Sequence, residues 1–202
     1  MLPNIVNHLR NRDYMSGVER DKSRIKATGE VFTPTLQAQE ILNTLPDNLF
    51  TNTQKSFIDP SCGDGQFLAE IIIKKVEQGS TYHQALSTTY GVDLMPDNCL
   101  ECIRRLYMCS DSEIREFGHD TVVEQDPNYY WSPGLRAIYW VDTPHYCGWA
   151  KIVCADGLKY DYGFGEAPEL KTSALLKVSA THKKKQKKKH KEHPNLDLFV
   201  FG

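Results

Sequence analysis

The sequence has no apolar run near the roughly 20 residues that a membrane-spanning helix requires. Its opening stretch, Met1 to Met15, has no apolar core, so a secretory signal is not expected. Both absences point to a cytoplasmic protein that does not engage a membrane. A regular metal-ligand pattern is missing as well. Cys99 and Cys102 form a C-x-x-C pair, but Cys109, His119, His145 and Cys147 supply no matching second pair, so no metal is expected. In a cytoplasmic setting the six cysteines are expected to be reduced. There is also no basic surplus. The chain carries a net charge of −2, and the stretch from Thr181 to Gly202 alone carries +5, which leaves the rest at −7. An acidic body is a poor general binder of duplex DNA, because non-specific affinity comes from neutralising phosphates. Any DNA contact must be local or come from the tail.

What is present is enough for one packed domain: 202 residues, 40% of them apolar. The centre of the chain is Phe57-Ile58-Asp59-Pro60-Ser61-Cys62-Gly63-Asp64-Gly65-Gln66-Phe67-Leu68. It reads as a short buried strand, a glycine turn and a helix start. Phe67, Leu68, Ile71, Ile72 and Val76 fall on one helical side, and Gly79 stands where a left-handed cap is often needed. Glycine lets backbone approach a ligand closely, and a helix start offers N–H groups. The turn lacks the lysine that phosphate would call for. Asp59 and Asp64 flank it instead, which suits a cationic or zwitterionic ligand.

The flanking chain supplies further elements. Thr33-Pro34 predicts a helix start with Ala38, Ile41, Leu42 and Leu45 on the core side. Thr88 to Asp93 predicts a second strand with an acid at its end, and Lys151 to Cys154 a third, followed by Asp156. Asp93 is placed either to accept from vicinal hydroxyls or to cap the helix after Pro96. Cys99, Cys102, Ile103 and Leu106 at helical spacing predict a core-facing stripe that includes thiols. Arg104 to Ala150 is the least readable part. Ile138-Tyr139-Trp140-Val141 is a plausible strand there, and the aromatics around Tyr129 to Trp131 suit either packing or base stacking.

Four of these pieces together resemble the adenine-specific, amino-directed DNA methyltransferases. Asp59-Pro60-Ser61-Cys62-Gly63-Asp64-Gly65-Gln66-Phe67-Leu68 resembles their first S-adenosylmethionine motif. Thr28-Gly29-Glu30-Val31-Phe32-Thr33-Pro34 resembles the segment folded over the methionine part. Gly91-Val92-Asp93-Leu94-Met95-Pro96 resembles the ribose-binding strand end, and Cys154-Ala155-Asp156-Gly157-Leu158 the turn that reads the adenine. The resemblance implies an α/β fold with a partial doubly wound, Rossmann-like sheet and helices on both faces. It implies S-adenosylmethionine as cofactor, held by Phe32, Thr33, Pro34, Asp59, Pro60, Cys62, Gly63, Gly65, Asp93, Leu94 and Asp156. DNA is the implied partner.

The family's Asn/Asp-Pro-Pro-aromatic motif, which holds the flipped base, does not follow Asp156. The nearest substitute is Asp126-Pro127-Asn128-Tyr129, which makes Asp126, Pro127 and Tyr129 the catalytic candidates. The family's later strands are also missing, so a partner chain completing the sheet is one expectation.

The chain divides into an N-terminal arm (1–26), a methyltransferase-like domain (27–178), a Lys- and His-rich tether expected to be disordered (179–193) and an apolar peptide (194–202). The last resembles peptides that dock on sliding clamps, with Leu196, Leu198 and Phe199 as the partner-binding residues and the latter two filling the groove. The other reading is that it packs back as a last strand. Two functions remain open: a DNA adenine methyltransferase or a catalytically incomplete relative, and a non-catalytic adaptor that reaches a clamp through its tail.

Overall fold

The computed structural model describes residues 2–10, 33–125, 128–166 and 199–200. Its helices are α1 (Leu2–Arg10), α2 (Thr35–Asn43), α3 (Asn48–Thr51), α4 (Gln66–Glu77), α5 (Tyr82–Ser87), α6 (Pro96–Tyr107) and α7 (His119–Gln125). Its strands are β1 (Phe57–Asp59), β2 (Thr89–Asp93), β3 (Ile114–Phe117), β4 (Leu135–Asp142), β5 (Cys147–Ala155) and β6 (Phe199–Val200). They form one mixed sheet in the order β3-β4-β5-β2-β1-β6. The β5-β2-β1-β6 part is parallel and the β3-β4-β5 part antiparallel. The fold is therefore α/β.

Local signals start and stop these elements. Thr81 and Gln84 make a reciprocal capping box that starts α5. Pro96 opens α6, and Met108, with φ of 52°, closes it. Gly79 takes the left-handed φ expected of it, at 99°. Helix α2 departs from expectation: it begins at Thr35, not at Thr33-Pro34, and no side chain caps it. Of its expected core residues Ala38 and Leu42 are fully buried, whereas Ile41 is exposed and Leu45 half-buried. The helix ends at Asn43, so Leu45 lies beyond it.

Two cores flank the sheet. Leu9, Leu42, Phe50, Phe57, Leu68, Ile71, Ile72, Ile103 and Leu106 cluster on the face that carries α1 to α6. Each such side chain, fully buried, contributes about 1.5–3 kcal/mol. The expected stripe of Cys99, Cys102, Ile103 and Leu106 is buried. On the opposite face Val122 of α7 joins Val92, Leu135, Ile138, Val153, Ala155 and Tyr160. There the cover comes mainly from aromatic side chains of 129–164 in place of long helices.

Several charges are buried in the helical layer. Arg10 donates from Nε and Nη2 to Glu70 at 2.9 and 2.8 Å, and Gln39 adds a third bond at 3.1 Å. This fork joins α1 to α4 and α2. Lys75 is fully buried and donates to the Lys55 carbonyl at 2.7 Å and to the Thr88 hydroxyl. Burial pushes its ammonium down to about 8.

The C-terminal Phe199 and Val200 pair in parallel with Phe57 and Ile58 of β1. Of the two readings of the apolar peptide, the last-strand one is the arrangement found for these two residues. Leu196, Leu198 and the tether 179–193 lie outside the described residues. No helix among the described residues is long and apolar enough to cross a membrane.

Candidate cofactor-binding site

Parallel pairing fixes the geometry of the site. Asp59 lies level with Gly91, and Asp93 level with Cys154, so β1, β2 and β5 end at the same edge of the sheet. The turns beyond them touch. A Cβ on Gly157 would stand 3.1 Å from the Pro60 carbonyl oxygen. Asp59, Asp93 and Asp156 thus belong to one end of the molecule, as the sequence pattern requires.

The glycine turn is tied down from beneath. Cys62 N–H donates to the Val92 carbonyl and Gly63 N–H to Asp93 Oδ2, both at 2.9 Å. Gly63 and Gly65 adopt φ of 52° and 83°. Gly65 sits where α4 begins, with no side chain capping the helix. A Cβ at Gly65 would lie 2.6 Å from Cys102 Sγ. Gly65→Ala is therefore expected to cost about 2–3 kcal/mol, combining left-handed strain with a collision. Gly79→Ala, where a Cβ meets nothing within 4 Å, is expected to cost only about 1 kcal/mol. Thermal melts of the two variants check the difference.

The three acids sit in different environments. Asp59 is 4% exposed and accepts one bond, from Ser61 N–H at 3.0 Å. Burial pushes its carboxyl up to about 7; the Ser61 bond opposes this and the charge of Asp93 adds to it. Asp93 accepts from Gly63 and, through Oδ1, from Met95 N–H at 2.8 Å and Asn98 Nδ2 at 3.0 Å. Three donors leave one of its roughly four acceptor sites for a ligand hydroxyl. It holds the turn before α6, which has no side-chain cap, and it is a strut of the glycine turn. Asp156 is partly exposed. It accepts from Lys159 Nζ at 3.0 Å and Leu158 N–H at 3.1 Å, and these contacts hold its carboxyl below the usual range.

The remaining expected residues are distributed around this edge. Thr33 and Pro34 precede α2, and Gln66 Nε2 donates to Thr35 Oγ1 at 3.2 Å, which brings that segment against the start of α4. Phe32 lies outside the described residues. Cys62 is buried beneath the turn, its thiol raised by Cys102 and by burial. Leu94 is exposed, and its carbonyl accepts from Arg136 Nη1 at 3.3 Å. Tyr129 packs on Gly165 and 5.6 Å from Trp149, against the second core that also holds Ala155 and Tyr160 on either side of the Asp156 turn. Asp126 and Pro127 lie outside the described residues.

Two contributors were not anticipated. Asn98, 1% exposed, orients Asp93. Arg105, also 1% exposed, reaches under the turn, with Nη2 bonded to Gln66 Oε1 at 2.9 Å and Nη1 3.6 Å from Asp64 Oδ2. Spacing carried the signal: Asn98, Cys102 and Arg105 stand at i, i+4 and i+7 on the buried stripe of α6.

The donor set suits a ligand with a positive centre and hydroxyls. Asp59 supplies a carboxylate that a cation would stabilise, Gly63 and Gly65 supply close backbone, and the β5 tip supplies Asp156. Compared with protein families, curated proteins and solved structures, the chain matches none.

Proposed function

We propose that this edge of the sheet binds S-adenosylmethionine and that the chain is an amino-directed DNA adenine methyltransferase or a catalytically incomplete relative. The observation that carries the reading is the convergence of Asp59, Asp93 and Asp156 at three neighbouring parallel strand ends, with the glycine turn between two of them. In the strand order β5-β2-β1 with α4 and α6 on one face lies support for a half of a doubly wound, Rossmann-like sheet. Beyond β1, where such a sheet would continue, stands the two-residue β6. A partner chain that completes the sheet would take that place.

When bound, the cofactor supplies an electrophilic methyl group. The chain's own contribution is positional, which is where most of the acceleration of such a transfer resides. Asp59 pairs with the positive end of the cofactor. Asp93, through its one remaining acceptor site, takes a ribose hydroxyl. Asp156 accepts from the adenine amine, displacing the Lys159 contact. Gly63 and Gly65 allow backbone to approach without a Cβ in the way. Tyr129 is the candidate for stacking on the target base.

The second reading, a non-catalytic adaptor, draws on the lack of an Asn/Asp-Pro-Pro-aromatic motif after Asp156. Docking of Leu196, Leu198 and Phe199 on a sliding clamp would require Phe199 to leave β1. One experiment separates the readings: binding and transfer of cofactor labelled on the methyl group, with unmethylated duplex and single-stranded DNA as acceptors. Saturable binding with transfer to adenine, abolished in Tyr129→Ala, is the expected result. Saturable binding without transfer to any DNA removes the active enzyme and favours the adaptor. Absence of binding removes the methyltransferase reading.

A further inference from the structure

The face of the sheet opposite the long helices has a composition that the cofactor site does not use. Alternation along the strands puts Phe117, Trp140, Trp149 and Tyr90 on it, together with Arg115 and Lys151. Trp149 is the hub, with ring centroids 5.4 Å from Phe117 and 5.2 Å from Trp140, both edge to face. Lys151 Nζ stands 5.7 Å above the Tyr90 ring. Arg115, exposed, is directly opposite Trp140 in the β3–β4 register. Among the described residues neither cation makes an ion pair. All three tryptophans of the chain (131, 140 and 149) are in this layer, and each is only half-buried.

We propose that this face binds single-stranded nucleic acid, with unpaired bases stacked on Trp140 and Trp149 and the backbone phosphates met by Arg115 and Lys151. Two points favour that occupant. Half-exposed rings with cations set beside them match the combination of stacking surface and phosphate contact that single strands use. The acidic body disfavours a duplex, whose affinity comes chiefly from charge, whereas stacking needs little charge. The inference does not rest on the cofactor reading, so either can fail alone.

The test is titration of the full chain with a 12-nucleotide oligo(dT), an oligo(U) of the same length and a duplex of the same length, read by tryptophan fluorescence. Because every tryptophan is in this layer, stacking quenches the signal, and binding by the Lys-rich tail alone does not. Saturable quenching by the two single strands and none by the duplex is expected. Trp140→Leu should weaken binding about fivefold to a hundredfold, the usual range for one stacked base. Arg115→Ala with Lys151→Ala, two changes outside the core, should lower the salt slope by about 1.4, the share of two phosphates. Equal recovery by the duplex, or oligonucleotide binding with unchanged fluorescence, overturns the proposal. So does light scattering that shows a dimer whose tryptophan emission shifts to the blue with protein concentration, which would assign the face to a second copy of the chain.

Discussion

Arg105→Leu is expected to destabilise the protein by about 3–5 kcal/mol, more than any other single change at the site. The guanidinium is 1% exposed. Its Nε donates to the Leu9 carbonyl at 2.8 Å, in the last turn of α1, where a positive charge also meets the negative end of the helix dipole. Nη2 holds Gln66 in the first turn of α4, and Nη1 faces Asp64 in the glycine turn. Leucine fills much of the volume but leaves a carbonyl, an amide and a carboxylate without their cation. Arg105→Lys should recover little, since one ammonium cannot serve three directions that a planar fork serves. Urea unfolding of the three proteins checks this. A loss below 1 kcal/mol in Arg105→Leu would show that the turn does not depend on the arginine.

The second large effect concerns Asp59 and carries a definite sign. Its carboxyl is pushed up to about 7, so the folded state holds the proton longer than the unfolded chain does. Stability contributed here is present at acid pH and is lost as pH rises from about 4 to about 7. The full loss is on the order of 4 kcal/mol for such a shift. Asp59→Asn keeps an oxygen for the Ser61 N–H and removes the charge. It should flatten that part of the pH profile and gain stability on that order above pH 7.

The same substitution should do the opposite to ligand binding. A cationic ligand favours the ionised carboxylate, so binding releases a proton below pH 7, and affinity should fall about tenfold per pH unit there. Asp59→Asn should lose at least tenfold in affinity at pH 8 and show no such dependence. Calorimetric titration with S-adenosylmethionine in buffers of different ionisation heat reads both. A variant that is neither more stable nor weaker in binding would disconnect Asp59 from the site.

These two residues mark how far the sequence could be read. Asp59, Asp93 and Asp156 were legible because they punctuate strand ends, where short apolar runs, glycine and acid occur in a fixed order. The parallel β1, β2 and β5 and the helices α4 and α6 were legible for the same reason. Arg105, Glu70 and Lys75 were not, because a charge inside an amphipathic helix reads as solvent-facing. What buries them are partners far along the chain, such as Arg10, sixty residues from Glu70. Strand β3 and helix α7 escaped because each is short. In β3 only Ile114 and Phe117 are apolar, and they pack on opposite faces of the sheet. For Tyr129 packing was one of two readings, but its partner Gly165 was not legible, because such packing leaves no spacing pattern.

Beneath the glycine turn the interior is lined with sulfur. Cys62, Cys99, Cys102 and Cys154 are buried, Cys109 is half-covered, and Cys147 is exposed at the start of β5, away from the strand tips. A thiol must reach solvent and ionise before it reacts. The native protein therefore offers a bulky maleimide one exposed handle, at Cys147, where a dye or spin label can be attached without touching the floor of the site. The four interior sulfurs become available only when the helical layer lifts from the sheet, which makes them an intrinsic clock for that opening.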